Sequence, residues 1–387
     1  MIGKSSEAYC KPQNVKTSTM MNKMIVANLV QRPLRSLISV VAIALEVTLI
    51  LLIVGLSLGI LNDSKKRQAG IGADVIVMPP GSSFIVGLTG APMSLKVGAI
   101  VRKLPHVVAV APVVTQVATA GALEVIAGID LKSYQALGGP FRYLQGGPFQ
   151  GPDDALVDEV FAKAKHIKTG DTIDILNHNF RVAGIVEQGK GARKFVQIGV
   201  LQDLIGAQGK ASIFYLKLDN PNNADLVVEE IKHVPGMERY VAVSMTYYLS
   251  MMNPSTYPGL SSFIDVVIVI SVIIGFIVIF QAMYAAVMER TREIGILKSL
   301  GASKLYIVNV ILRETLMLAL AGIVFGILIS LVARVGIMQR LPLLRVVVTG
   351  GWILKSTLIA IVGAIFGALY PAYKAAQKDP IDALAYE

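Results

Sequence analysis

The sequence is poor in most of what a soluble, disulfide-stapled or catalytic protein needs. It has one cysteine, Cys10, so no intrachain disulfide can form. Only 16% of its 387 residues are charged, against about 25% in ordinary soluble domains. Acidic residues are the scarcer sign, 26 against 36 basic ones, which leaves a net charge of +10. The cations are scattered and stand mostly at the feet of apolar runs, a pattern that argues against nucleic-acid binding. No phosphate-binding loop is present. Gly206-Ala207-Gln208-Gly209-Lys210-Ala211 comes closest, but it lacks the leading glycine at the required spacing and a hydroxyl residue after the lysine. The four histidines, His106, His166, His178 and His233, show no metal-ligand spacing and read as surface residues. No Gly-x-Ser-x-Gly nucleophile elbow occurs. Asp153, Asp154, Asp158 and Glu159 read as the solvated start of a helix rather than an acid–base pair. The chain is therefore not expected to be an enzyme, and no catalytic residue, metal or resident cofactor is expected in it.

What is abundant is apolar sequence, 54% of the chain. A membrane-crossing helix needs about 20 mainly apolar residues. Residues 36–62 carry Glu46 as their only charge, and residues 266–288, 315–333 and 356–373 carry none. These runs predict spans at 36–62, 263–288, 304–335 and 352–374. The first follows about 35 residues and is too long for a cleaved signal peptide, so it reads as a signal anchor. Lys4, Lys11, Lys16, Lys23, Arg32 and Arg35 precede span one. Arg290, Arg292, Lys298, Lys304 and Arg313 lie between spans two and three, and Lys374 and Lys378 close span four. The bias toward positive charge on the cytoplasmic side puts all these segments inside, with both termini. Arg334, Arg340 and Arg345, in a short loop (336–351) that must then be external, dissent.

Between spans one and two lie residues 63–262, long enough for a folded domain outside the cytoplasm. The texture is α+β. Residues 74–78, 107–117 (broken by Pro112), 172–176, 180–186 and 212–218 read as strands. Asn177-His178-Asn179 is the expected hairpin turn between the third and fourth of them. Helices are expected over 94–104 and 222–234, the latter Asn-capped and stopped by Pro235-Gly236. Gly- and Pro-rich residues 138–152 read as a loop between two lobes.

Glu46 is the one ionisable residue deep in a span, where a charge costs about 2.5–3.5 kcal/mol on insertion scales. It reads as a polar contact between helices or, alternatively, as a proton or substrate contact. Glycines four apart, Gly55 and Gly59, Gly322 and Gly326, Gly363 and Gly367, let helix backbones approach within the bundle or across a dimer.

The stretch that points to function follows span two. Residues 289–303 read as a short cytoplasmic helix with Glu289 and Glu293 near its start, Lys298 near its end, Gly301 as its stop and Ser303 capping the next helix. Its apolar residues Ile294, Ile296, Leu297 and Leu300 spread around the wheel. That suits insertion into a protein cleft, and it equally suits an ordinary interfacial helix. The run Glu289-Arg290-x-x-Glu293-Ile294-Gly295-x-x-Lys298-Ser299-Leu300-Gly301-Ala302 resembles the signature of the FtsX-like permeases, the MacB, LolC/LolE and FtsX class of ABC transporter membrane subunits. The resemblance extends to Glu314, Leu316, Leu318, Leu320, Gly322 and Gly326 in span three. It also covers Pro371-Ala372-Tyr373-Lys374-Ala375-Ala376 and Asp379 to Leu384 at the C-terminus, and, more loosely, Gly170–Ile185 in the outer domain.

The resemblance implies an α-helical membrane protein of four spans with a MacB-type periplasmic core domain between helices 1 and 2, in a bacterial cytoplasmic membrane. Glu289, Arg290, Arg292, Glu293, Ile294, Gly295, Leu297, Lys298, Leu300, Gly301 and Ala302 would form a coupling helix docking onto a cytosolic ATPase dimer, which would bind ATP and Mg. It further implies a second permease copy, identical or sister, and a periplasmic adaptor or cell-wall hydrolase as further candidate partners beside membrane lipids. The expected function is a permease that relays ATP hydrolysis to the outer domain and so exports or extracts a hydrophobic, lipidic or peptide substrate. An FtsX-like regulator of an external cell-wall hydrolase is the alternative, and a secondary transporter using Glu46 a third. Residues 1–22 match nothing in the family and are expected to be disordered, and residues 375–387 form the cytoplasmic tail.

Overall fold

The computed structural model describes residues 33–82, 91–118, 124–254 and 259–378. Cys10, the N-terminal lysines and the tail motif from Asp379 to Leu384 lie outside them. Among the described residues, four helices are long and apolar enough to cross a membrane. They are α1 (Pro33–Ala69), α8 (Leu260–Glu289), α10 (Lys304–Arg340) and α11 (Gly350–Gln377). In lipid only a helix or a closed barrel satisfies its own backbone, which is why such runs become helices. Helix α1 continues seven residues past the apolar run, through polar residues 63–68 to Ala69. The short helix α9 (Thr291–Ser299) joins α8 to α10.

The described chain divides into two compact units. The first holds residues up to 55, 264–334 and those from 348 on. Its core is Ile43, Val47 and Leu51 of α1, Ile279 and Met283 of α8, Ile311 and Ala319 of α10, and an alanine row of α11 from Ala360 to Ala376. Outward faces remain apolar, as Ile273 on α8, Val332 on α10 and Phe366 on α11 illustrate. Helices apolar on every side belong in lipid.

The second unit holds residues 56–263 together with 335–347. Its chain order runs through β1 (Val75–Met78), β2 (Met93–Ser94), α2 (Lys96–Val101), β3 (Val107–Ala118), β4 (Glu124–Ile129), α3 (Leu131–Gly138), β5 (Tyr143–Gly146), β6 (Asp154–Asp158) and α4 (Glu159–Lys165). It continues with β7 (Thr172–Ile175), β8 (His178–Val186), β9 (Lys194–Gln197), α5 (Ile198–Leu204), β10 (Lys210–Ala211), β11 (Ile213–Leu218), α6 (Ala224–His233), β12 (Val241–Ser244) and α7 (Met245–Met251). Among the described residues, ten strands make one sheet in the order β12-β1-β11-β3-β4-β9-β6-β8-β5, with β7 paired to β8. The pairs β4–β9 and β6–β8 are parallel and the others antiparallel. Strands β2 and β10 pair separately. The α+β class expected from the sequence is what the chain forms.

Four local expectations need correction. Pro112 does not break its strand. Val113 offers its carbonyl to Ser212, so alternation turns the missing Pro112 donor to the opposite edge, past the last β3–β4 pair, Val113 with Ile129. A proline is tolerated where no ladder bond is needed. The hairpin turn is Leu176-Asn177, with φ of 57° and 62°, and His178 already belongs to β8. Positive φ at both central residues is what a two-residue hairpin loop needs to match strand twist. The stretch 138–152 carries β5, which pairs with β8 in the common sheet instead of separating two lobes.

Asp154 and Asp158 are buried on β6, 3% and 1% exposed, not solvated. The Asp154 carboxylate takes the N–H groups of Gln150 and Gly151 and the guanidinium of Arg181. Burial pushes this carboxyl up, but those donors outweigh it and hold it below its usual range. Asp158 caps α4 by accepting from Phe161 N–H at 2.7 Å. Burial there prevails over its cap and over Arg193, and the carboxyl is pushed up. Glu159 behaves as foreseen, in the first turn of α4 and paired with Lys163, and Asp153 is solvated as expected but precedes β6 instead of a helix.

Candidate functional site

The loop helix α9 is built to hold one orientation. Glu289 is the last residue of α8 and not, as expected, a first-turn residue of the loop helix. Arg290 breaks the helical path at φ −107° and ψ 18°, and α9 starts at Thr291. The Thr291 hydroxyl donates back to the carbonyls of Val287 and Met288, which ties the break to the end of α8. Arg290 itself reaches across to α10. Its Nη1 lies 3.2 Å from Glu314 Oε2 and 3.4 Å from Oε1, and the two side chains are 12% and 5% exposed.

At the other end Lys298 Nζ donates to the carbonyls of Ala376, at 3.1 Å, and of Lys378. These carbonyls close α11, where no intrahelical donor remains and a cation is electrostatically favoured. Gly301 then stops the helix. At φ 92° it lets its own N–H reach the Lys298 carbonyl and lets Ala302 N–H reach that of Leu297. This is the paired-bond left-handed cap that favours glycine. The hydroxyl of Ser303 accepts from Tyr306 N–H at 3.2 Å and opens α10.

Thr291 and Gly295 are buried, and Ile294 packs on the helical core. Arg292, Glu293, Ile296, Ser299 and Leu300 point outward, with Leu300 79% exposed. The apolar residues that seemed scattered around the wheel therefore sort into an inward set and an outward set. A cavity of about 310 Å³ lies between α8, α9 and α10, walled by Met283, Val287, Ile294, Leu297, Ile307 and Ile311.

The intramembrane glycines act within the chain. A Cβ at Gly322 would meet Ile43, and one at Gly326 would meet the Ala44 backbone at 2.7 Å, so α1 and α10 touch backbone to backbone. Thr48 adds a 3.0 Å bond to the Gly326 carbonyl. Gly367 brings α11 against α8, where a Cβ would sit 3.1 Å from the Phe276 carbonyl. Gly363 is looser, its nearest neighbour Val272 being at 3.9 Å. Gly55 is buried, while Gly59 faces the backbone of Arg345 rather than another span. Glu46 is 6% exposed and its Oε1 has no hydrogen-bond partner. Its other oxygen occupies the space that a side chain at Gly275 would need.

Sequence reasoning placed Arg290 and Glu314 in the same motif set but did not pair them. The only signal was that Glu314 is an isolated acid at the head of an apolar run. Gly275 as the counterpart of Glu46 carried no signal at all. Among the described residues no group of three metal-binding side chains is found. The two ends of α9 are tied to α10 and α11, and its exposed face carries both charged and apolar side chains.

Comparison with known proteins fits these features. Residues 266–380 match the FtsX-like permease C-terminal family, and residues 36–234 match the MacB-like periplasmic core domain. An uncharacterized ABC transporter permease, MJ1507 of Methanocaldococcus jannaschii, is 26% identical over 236 residues, 58% of this chain and 59% of that protein. The macrolide export ATP-binding/permease protein MacB of Shewanella sp. is 24% identical over 395 residues, 94% of this chain and 60% of that protein. The match thus spans about 60% of the length of these relatives. The uncharacterized ABC transporter permease YknZ of Bacillus subtilis is 43% identical over 121 residues, 30% of each chain. Among solved structures, the periplasmic region of MacB from Actinobacillus actinomycetemcomitans is similar at 16% identity and a TM-score of 0.37, covering 48% of this chain and 94% of that one.

Proposed function

Because the chain belongs to the ABC transporter permeases that combine a MacB-like periplasmic core domain with an FtsX-like C-terminal domain, we propose that it relays work from an ATPase to its outer domain through α9. ATP binding and hydrolysis come from outside these 387 residues, in a cytosolic ATPase dimer. The permease works as a pair of copies, identical or sister. The outer domain moves in response and drives export or extraction of a hydrophobic, lipidic or peptide substrate. Both termini and α9 face the cytoplasm.

The observation that carries this reading is the grip on α9. Arg290 and Lys298 fasten its two ends to α10 and α11, while Arg292, Glu293, Ile296 and Leu300 are left outward. A helix held in this way transmits a push on its outer face to three spans at once. An apolar pair flanked by charges is the composition expected of a protein contact surface, with anchors at the centre and a polar rim. Arg345, one of the arginines that dissented from the topology, lies 3.9 Å from Asp63 of the outer unit.

The test is reconstitution. Purified alone, the chain turns over no ATP, and from cells it co-purifies with a small cytosolic ATPase. The double variant Glu289→Lys, Glu293→Lys loses stimulation of that ATPase while its melting temperature stays unchanged, both side chains being exposed. Full stimulation in the double variant refutes the assignment of α9.

A further inference from the structure

Three segments far apart in sequence converge on one carboxylate in the outer unit. Asp63, on the polar end of α1, is 7% exposed. Its Oδ2 pairs with Arg67 one turn on and lies 2.8 Å from Arg193 Nη2. Its Oδ1 accepts from Gln188 Nε2 at 2.5 Å and lies 3.9 Å from Arg345 Nε. Gln188 closes the ring, since its Oε1 takes a bond from Arg345 Nη2 at 3.3 Å. Arg193 also reaches Asp158, so two buried carboxylates face three guanidiniums.

The first two segments are locked by backbone as well. Gly191 N–H donates to the Arg67 carbonyl, and Arg67 Nε returns a bond to the Gly191 carbonyl. Gly191, at φ 90°, has Tyr134 and Ile71 where a side chain would go. The third segment, residues 335–347, comprises the end of α10 and most of the link to α11, and it packs as part of the outer unit. Val346 is 1% exposed, and Leu343 packs against the apolar cluster that contains Phe161 and Ile126. Gly59 permits this seating, because a Cβ there would fall on the Arg345 carbonyl.

Chain connectivity alone ties the outer domain to the membrane through α1 and α8. The convergence at Asp63 adds a further tie, to the segment joining α10 and α11. We propose that Asp63 is the node of a latch through which the α10–α11 segment grips the outer domain, and that the latch is a required part of the path by which that domain is moved. Asp63 is then a positioning residue. The inference rests on the force-relay reading above, and it adds that α10 and α11, the helices gripped by Arg290 and Lys298, deliver the motion.

A mutation series in the full chain in nanodiscs tests it, read by amide exchange of residues 341–347 and by stimulation of the co-purifying ATPase. Arg345→Gln and Asp63→Asn are expected to speed exchange in that segment by about tenfold or more, since release of a docked segment is a local opening equilibrium. Stimulation falls in parallel. Arg345→Lys restores part of both effects, and Gly59→Val, which blocks seating without touching a charge, reproduces them. If Asp63→Asn fails to fold, the Arg345 and Gly59 variants decide. Unchanged exchange in Arg345→Gln and Gly59→Val overturns the latch. Faster exchange with full stimulation also overturns it, while loss of stimulation in the Glu289→Lys, Glu293→Lys control shows that the role of α9 survives. Full stimulation in that control as well means that the force-relay reading itself has failed.

Discussion

Replacing Glu314 by Gln leaves the guanidinium of Arg290 at the foot of the bundle without its counter-ion. At 3.2 Å, the attraction between the two groups is about 5 kcal/mol for an effective dielectric constant of about 20. Desolvating each ion costs several kcal/mol, so the intact pair adds little net stability, whereas removing one partner costs about 3–5 kcal/mol. The side chains are 12% and 5% exposed, which leaves little screening to soften that cost. Glu314→Gln should therefore lower the melting temperature of the detergent-solubilised chain and detach one end of α9. The double variant Arg290→Met, Glu314→Met, which removes both charges and keeps apolar volume, should melt closer to the parent than either single change does. ATPase stimulation should remain low in the double variant, because α9 is still unanchored. A Glu314→Gln protein that melts with the parent, or a double variant worse than the sum of the singles, would refute the argument that this pair is a buried anchor.

Two further outcomes follow from the packing and the charges. Gly326→Val pushes into the Ala44 backbone and should cost about 1–3 kcal/mol in thermal unfolding, as overpacking does, whereas Gly363→Ala, with its nearest neighbour at 3.9 Å, should melt like the parent. Asp154 has a folded-state pKa below its unfolded value, so its contribution is present above the ordinary carboxylate range and is lost as pH falls through the folded value. In Asp154→Asn the loss of melting temperature between neutral pH and acid should be shallower than in the parent, and an identical slope would show that the carboxylate does not matter.

Much of this architecture could be read from the sequence because it depends on local composition. A run such as 266–288 has nowhere to go but lipid, and the α9 stretch carries its stop, Gly301, and the cap of the next helix, Ser303, although its start lay two residues later than expected. The outer hairpin was visible for the same reason, although its turn lay one residue off, since nothing in Leu176 announces a positive φ. Failures came where the deciding partner is remote. Asp154 and Asp158 look like a solvated acidic run until the strand that carries them is placed between its neighbours. Arg290 and Glu314 are 24 residues apart and meet only because two helices run side by side. Asp63 meets Arg193 across 130 residues, and no periodicity reports such a meeting.

The left-handed stop at Gly301 has a consequence for how this family can change length. Helix α9 has nine residues between two fixed ends, and each residue turns the helix by about 100°. One inserted or deleted amino acid would swing Ile296 and Leu300 off their side while Arg290 and Lys298 held on. Substitutions can drift along this stretch, but its register cannot, so related chains should differ in length almost anywhere before they differ between Arg290 and Gly301.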